Sequence, residues 1–241
     1  DVVPTVLPPN SADINTRLNA AKLSKTYPDV FSAYLIFMGT RGSQGDFAVM
    51  DDYINNVCRS AQFHLFNIGR IRKYLSTSAC ESLIHAFISS RLDYSNAILY
   101  GLPKRQIMKL QRIQNAAARL LTMTRRREHI TPILIQLHWL PIEYRIQYKI
   151  ALIVFKCLNG MAPPYLSELL QPYVPSRNLR SSEHLLLQEQ HPTSTLNNRC
   201  FSVCGPKIWN SLDFNVRNCR TIDTFKSKLK TFLFRLAFTL D

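Results

Sequence analysis

Val49-Met-Asp-Asp52 is the first place where the residue types suggest chemistry. Paired aspartates on a tight turn between two β-strands can hold two Mg²⁺ ions, which clamp both oxygens of an in-line phosphoryl displacement. Such a turn needs β-branched residues after the pair. Tyr53-Ile-Asn-Asn-Val-Cys-Arg59 follows instead and opens a helical period, so Asp51 and Asp52 read as residues at a helix N-terminus, where the dipole favours negative charge. Cys200-x3-Cys204 with Cys219, His184 and His191 suggests zinc, but a CxxC pair and an HxxxH pair are both missing. With Phe201 and Val203 between them, these cysteines read as core. The sequence has no GxSxG elbow, HExxH or CxxCH, and neither Gly-rich phosphate loop, GxGxxG or GxxxxGK[ST]. The histidines at 64, 85, 129, 138, 184 and 191 sit beside no nucleophile, and His64 and His85 lie close to apolar helix faces. No catalytic residue, metal ligand or cofactor is assigned, and the chain is not expected to be an enzyme on its own.

Basic residues give the sharper pattern. The segment from Lys104 to Arg127 carries eight Lys/Arg and no acid. At about 100° per residue, Lys109, Arg112 and Arg119 fall within about 40° of Arg105 on a helix, while Ile107, Leu110, Ile113, Ala117 and Leu121 occupy another face. Lys104, Arg105, Lys109, Arg112 and Arg119, continued by Arg125, Arg126 and Arg127, can follow a phosphate backbone without reading bases. The alternative is a solvated face on a helical interaction or structural remnant with no specific ligand.

The elements that must position this row follow from composition and period. With 46% hydrophobic and 19% charged residues, the 241-residue chain is not disordered by composition and can bury a sizeable core. A net charge of +14 points to a polyanionic partner, nucleic acid before membrane. Residues 1–60 hold five Lys/Arg and six acids; residues 61–241 hold 25 and 10. The start at Asp1 without methionine reads as a fragment or processed product, and the first residues make a poor signal peptide. The longest apolar stretches, Val30–Gly39 and Ile150–Phe155, are too short to span a bilayer. Six scattered cysteines read as reduced core thiols in an intracellular protein, and the basic charge allows the nucleus as well as the cytoplasm.

Residues 1–48 form an ill-defined α/β segment, with a helix-like run at Ile14–Leu23, a strand-like run at Val30–Met38 and a linker from Thr40 to Gly45. From Asp51 the period is helical: Ile54, Val57, Cys58, Ala61, Leu65 and Ile68 predict a helix to about Lys73. Ser78-Ala-Cys-Glu81 reads as a capping box opening a second helix, with Leu83, Ile84, Phe87, Ile88 and Leu92 on its apolar face. Pro103 suits the first turn of the basic helix, which ends near Leu121. Another helix runs from Pro141 to a C-cap at Asn159-Gly160, and Pro163-Pro164 forbids its resumption. Residues 172–205 look irregular or β-like. A last helix follows Thr221, with Ile222, Phe225, Leu229, Phe232, Leu233 and Leu236 on one face. The expected class is mainly α.

Six segments occur in an order that resembles a known family. They are Cys58-Arg-Ser-Ala-Gln-Phe-His-Leu65, Ser90-Arg-Leu-Asp-Tyr-Ser-Asn-Ala-Ile-Leu-Tyr-Gly-Leu-Pro103, Leu110-Gln-Arg-Ile-Gln-Asn-Ala-Ala-Ala-Arg-Leu120, Leu137-His-Trp-Leu-Pro-Ile-Glu-Tyr-Arg-Ile146, Asn159-Gly-Met-Ala-Pro-Pro-Tyr-Leu166 and Gly205-Pro-Lys-Ile-Trp-Asn-Ser-Leu212. Together they resemble the C-terminal part of the reverse transcriptase of jockey-like non-LTR retrotransposons, from about Asp51 to Phe238. The resemblance implies a helical, thumb-like region over 49–127 and the family's C-terminal region, helical and irregular, over 128–241. It further implies that the catalytic palm and its Mg²⁺ ions belong to the complete parent enzyme, an RNA-directed DNA polymerase, upstream of this stretch. Residues 1–48 do not look like the family's palm end. The implied partners are an RNA–DNA hybrid or other template–primer duplex and the missing palm, with no membrane and no small-molecule substrate.

Overall fold

A computed structural model of the 241-residue chain describes residues 45–175, 185–190 and 199–239. The expectations on residues 1–44, and those on His184 and His191, lie outside the described residues. Those described are mainly helical, and the pairing among them is one isolated antiparallel bridge, Pro172 to Leu187.

Helix α1, Gly45–Ile71, buries Ile54, Ala61 and Ile68 at seven-residue steps, two turns apart, so one stripe faces the core. It begins well before Asp51 because residues 46–50 contain no Gly or Pro to stop it. The aspartate pair therefore lies inside a continuous helix rather than at its first turn, which corrects the dipole explanation. A 3₁₀ turn, Arg72–Tyr74, follows.

Helix α2, Thr77–Ile84, is capped by Ser76, whose Oγ accepts the Ala79 N–H at 3.2 Å. The expected box at Ser78 is thus misplaced by two residues: Ser78 is already helical, and Glu81 faces His85 at 3.6 Å. A π turn, His85–Ser89, and α3, Ser90–Asp93, continue the rod. The π turn carries one residue more than an α turn. The apolar stripe passes through Ile84, Ile88 and Leu92, while Phe87 lies outside it, 40% exposed and stacked on His64. Asn96–Leu99 forms a buried 3₁₀ turn. Gly101 follows at φ +71°, and a Cβ there would meet Arg199 Cγ at 2.8 Å. Arg199 donates to the carbonyls of Ile98 and Tyr100 at 3.1 and 3.2 Å, so its stem must lie flat against this glycine.

Helix α4, Lys104–Thr122, is preceded by Pro103, whose carbonyl accepts the Gln106 N–H at 2.9 Å. Leu110, Ile113, Ala117 and Leu121 are buried as the arithmetic requires, with Ile107 at the core's edge. Met123 ends the helix in the left-handed region, at φ 56°. Helix α5, Ile130–Gln136, is an addition to the expected elements and carries Pro132 within it. At the third helical position the missing N–H of this proline would have had no intrahelical partner.

Helix α6, Ile142–Leu158, buries Ile142, Ile146, Ile150, Ala151, Val154, Phe155 and Cys157. Gly160, at φ +67°, turns the chain, and Pro163-Pro164 opens a short helix α7, Pro164–Ser167. α6 itself does not resume, as expected, and this is a separate one-turn helix that a proline at the first helical position can open because it gives up no bond there. Helix α8, Phe201–Asn210, replaces an expected irregular stretch up to residue 205. Pro206 interrupts its hydrogen bonds without ending it, because Val203, Cys204, Ile208 and Trp209 are all buried on either side. A Cβ on Gly205 would meet Val154 Cγ2 at 3.2 Å, so this glycine lets α8 lie close on α6. After α9, Phe214–Arg217, helix α10, Ile222–Phe238, is capped by Thr221, and buries Phe225, Leu229 and Leu233. Leu236, expected on that face, is 55% exposed. Phe225 stacks on Phe155 at 4.2 Å between ring centres.

The buried thiols make alkaline stability testable. Burial, with Cys200 nearby, pushes Cys204 up to about 12, and burial pushes Cys157 up to about 11, against an ordinary thiol value of 9.0. The unfolded chain ionises these groups first, so their contribution is full below about pH 9 and is lost as pH rises toward 11–12. Urea midpoints at about pH 8 and about pH 10.5 should differ, each group lowering stability by up to about 1.4 kcal/mol per pH unit. Cys157→Ala with Cys204→Ala should shrink that difference. Equal midpoints in the unmodified chain would mean that both thiols reach water in the folded state.

Candidate nucleic-acid interface

Crossing of α1 and α4 gathers basic residues that are distant in sequence. Where the last turns of α1 lie beside the second half of α4, a groove of about 900 Å³ opens. Its apolar lining is Leu65, Ile113, Ala116, Leu120 and Met123. Six cations surround that lining: Arg70, Arg72 and Lys73 from the end of α1 and its 3₁₀ turn, Arg112 and Arg119 from α4, and Arg126 from the loop after it. No carboxylate lines the groove among the described residues. Like charges held this close in a concave site raise the local potential for a polyanion.

Two of the six are fixed by backbone groups. The Arg72 guanidinium donates to the carbonyls of Leu120 (3.1 Å), Leu121 (2.9 Å) and Leu75 (3.0 Å). The last carbonyls of a helix have no intrahelical donor and carry the negative end of its dipole, so this arginine caps α4 from outside. Arg119 donates to the Glu128 carbonyl at 3.0 Å and brings back the 123–128 loop that carries Arg126. Arg70 lies 6.0 Å from the centre of the Phe66 ring, and Lys73 lies 4.7 Å from that of Tyr74. Arg112 and Arg126 are exposed.

The eight residues expected from the sequence therefore separate into different settings. Arg112, Arg119 and Arg126 come together in the groove. Lys104 and Arg105 stand exposed in the first turn of α4, where the helix dipole also favours anions. Arg125 and Arg127 are exposed on the following loop and do not line the groove. Lys109 is bound across the helix pair, to Asp51 at 3.3 Å and to Asn55 Oδ1 at 2.9 Å. The row read along the helix is thus interrupted at Lys109. Sequence reading misses Arg70, Arg72 and Lys73, although Arg70-Ile-Arg-Lys73 is a visible basic cluster. Its distance from Lys104–Arg127 hides the common groove.

Metal ligation and membrane crossing can be judged for the described residues alone. No group of three His, Cys, Asp or Glu side chains could hold a metal ion there, and no helix is long and apolar enough to cross a membrane. No protein-family model, curated protein or solved structure matches this chain.

Arg72→Ala removes three bonds from a charged donor to backbone carbonyls, two of them at the end of α4. Net losses of about 1.5–3 kcal/mol are typical for a hydrogen bond to a charged group, so the unfolding free energy should fall by at least about that much and the unfolding midpoint with it. Arg72→Lys should recover only part, because an ammonium cannot fork between neighbouring carbonyls. Full stability in the alanine variant would show that the cap contributes nothing.

Proposed function

We propose that the chain is the nucleic-acid-binding C-terminal part of a reverse transcriptase of the jockey-like non-LTR retrotransposon kind, acting beside a palm on another part of the parent enzyme. Six ordered segments support the ancestry. The observation that carries the binding reading is the groove in which six cations meet with no carboxylate among the described residues. Phosphates of a template–primer duplex, an RNA–DNA hybrid by ancestry, would be held along Lys104, Arg105 and Arg112 and at the mouth of the groove by Arg126. These contacts position a backbone and read no sequence. No catalytic group is assigned to this chain, and Mg²⁺ belongs with the palm of the parent.

A second reading has its own observation. Lys109, Arg72 and Arg119 are bound to groups of this same chain, as cations of a structural remnant would be.

Binding of the purified chain to an RNA–DNA hybrid across a salt series separates the two. The triple change Arg105→Glu, Arg112→Glu and Arg126→Glu leaves Lys109, Arg72 and Arg119 in place, so circular dichroism should not change. Affinity should fall at least about tenfold, and the slope of log K against log salt should flatten by about 0.9 for each duplex phosphate that is no longer neutralised. Affinity that ignores the triple change would leave the solvated, structural reading in possession.

A further inference from the structure

Phe66 and Tyr74 are not part of the groove's lining but each lies next to a cation that is, and 66% and 77% of their surface is exposed. Large rings at that exposure forgo the burial that makes aromatic residues favourable in a fold. Each is paired with a groove-lining cation, Phe66 with Arg70 and Tyr74 with Lys73, so each ring sits directly beside a positive charge. Two open aromatic rings, each paired with a cation of a groove that also has apolar lining, match a ligand in which flat apolar groups alternate with anions. Single-stranded nucleic acid is that ligand: bases stack on the rings while phosphates meet the cations.

We propose that this groove holds a single strand of RNA or DNA, with phosphates on Arg70, Lys73, Arg112 and Arg126 and bases stacked on Phe66 and Tyr74. The proposal rests on the nucleic-acid reading above and adds the form of the ligand and two stacking residues. A volume of about 900 Å³ belongs to the range of clefts that enclose small ligands, which suits a few nucleotides of one strand. In a duplex the base faces are already stacked on one another, so they offer nothing to Phe66 or Tyr74. The break in the α4 row at Lys109 leaves Lys104 and Arg105, at the start of the helix, to duplex phosphates alone, whereas Arg112 and Arg126 face the groove and can meet phosphates of either form.

The test measures fluorescence anisotropy of the full chain with two labelled probes. One is a mixed-sequence RNA strand of about 12 nucleotides, within the range that single-strand sites cover, and the other is an RNA–DNA hybrid of the same length. Phe66→Leu with Tyr74→Leu should weaken single-strand binding about tenfold to a hundredfold, and leave the hybrid within about twofold. Phe66→Tyr and Tyr74→Phe, which keep the rings, should retain single-strand binding. Because both side chains are exposed, the melting temperature checks that every variant is folded, and each leucine change is also measured alone.

Undiminished single-strand affinity in the leucine variants, or equal weakening on both probes, overturns the stacking site. So does an unmodified chain that binds only the hybrid. The triple Glu change at Arg105, Arg112 and Arg126 distinguishes the two levels of the argument. If it weakens binding while the leucine changes do nothing, only the stacking site fails. If it changes neither probe, the nucleic-acid reading fails with it.

Discussion

Between its ends α6 is enclosed on most of its sides, and only a half-buried stripe through Arg145, Lys149 and Lys156 is left partly open to water. Ile142, Ile146, Ile150, Ala151, Val154, Phe155 and Cys157 are buried on several sides of the helix, and Leu152, Ile153, Tyr144 and Tyr148 pack at the edge of the same core. Each fully buried large apolar side chain is worth about 1.5–3 kcal/mol relative to exposure, so the helix is stable only when enclosed. The rest of the chain encloses it: the 3₁₀ turn at Asn96–Leu99 and α4 from one half, α7, α8 and α10 from the other. Gly205 belongs to that requirement, since it lets α8 approach Val154 closely, and Phe225 reaches in from α10 to stack on Phe155. The raised thiols of Cys157 and Cys204 are a by-product of the same enclosure.

Enclosure leaves helix ends and polar side chains to satisfy inside, and the two halves of the chain do this for each other. The Ile142 N–H, one of the orphan donors at the start of α6, is accepted by Gln111 Oε1 from α4 at 2.9 Å. Gln111 in turn donates to Gln114 and Asn115, and the buried Gln114 donates to the Leu140 carbonyl at 2.7 Å. Arg145 of α6 forks onto the Asp93 carboxylate at the end of α3. Such bonds specify how α4 sits against α6, because a slipped register would strand several buried polar atoms at once. With α4 held in that way, its other face is presented to α1, and the groove follows from their crossing.

The cations of the interface are divided by the same geometry. Arg72 and Arg119 build the groove by bonding to backbone carbonyls, while Arg112 and Arg126 are left to face whatever enters it. Lys109 fastens α4 to α1 and is thereby withdrawn from the row. A stripe of like charge on one helix is therefore a poor measure of the phosphates it can hold. What matters is which members meet a carbonyl or carboxylate from a neighbouring element.

Local patterns in the sequence were enough to determine helix identity and the inward faces of α1, α4 and α6, and that of α10 apart from Leu236, since a 3.6-residue period records which side must leave water. They were also enough to show that Lys104–Arg127 has no balancing acid. Features that depend on neighbours were beyond them. Pro132 and Pro206 lie within helices because their positions and surrounding burial permit it, and a π turn shifts Phe87 outside the stripe. Ser76 rather than Ser78 caps α2, a choice between nearby residues of the same type. The groove itself joins Arg70–Lys73 to Arg112–Arg126 across some forty residues, and a separate bond links Lys109 to Asp51 across 58. Helical periodicity reaches only a few residues along the chain, whereas the potential of a charge is set by everything within a Debye length in space. The basic character was therefore legible in the sequence, and the place where it converges was decided only by the packing of α1 on α4.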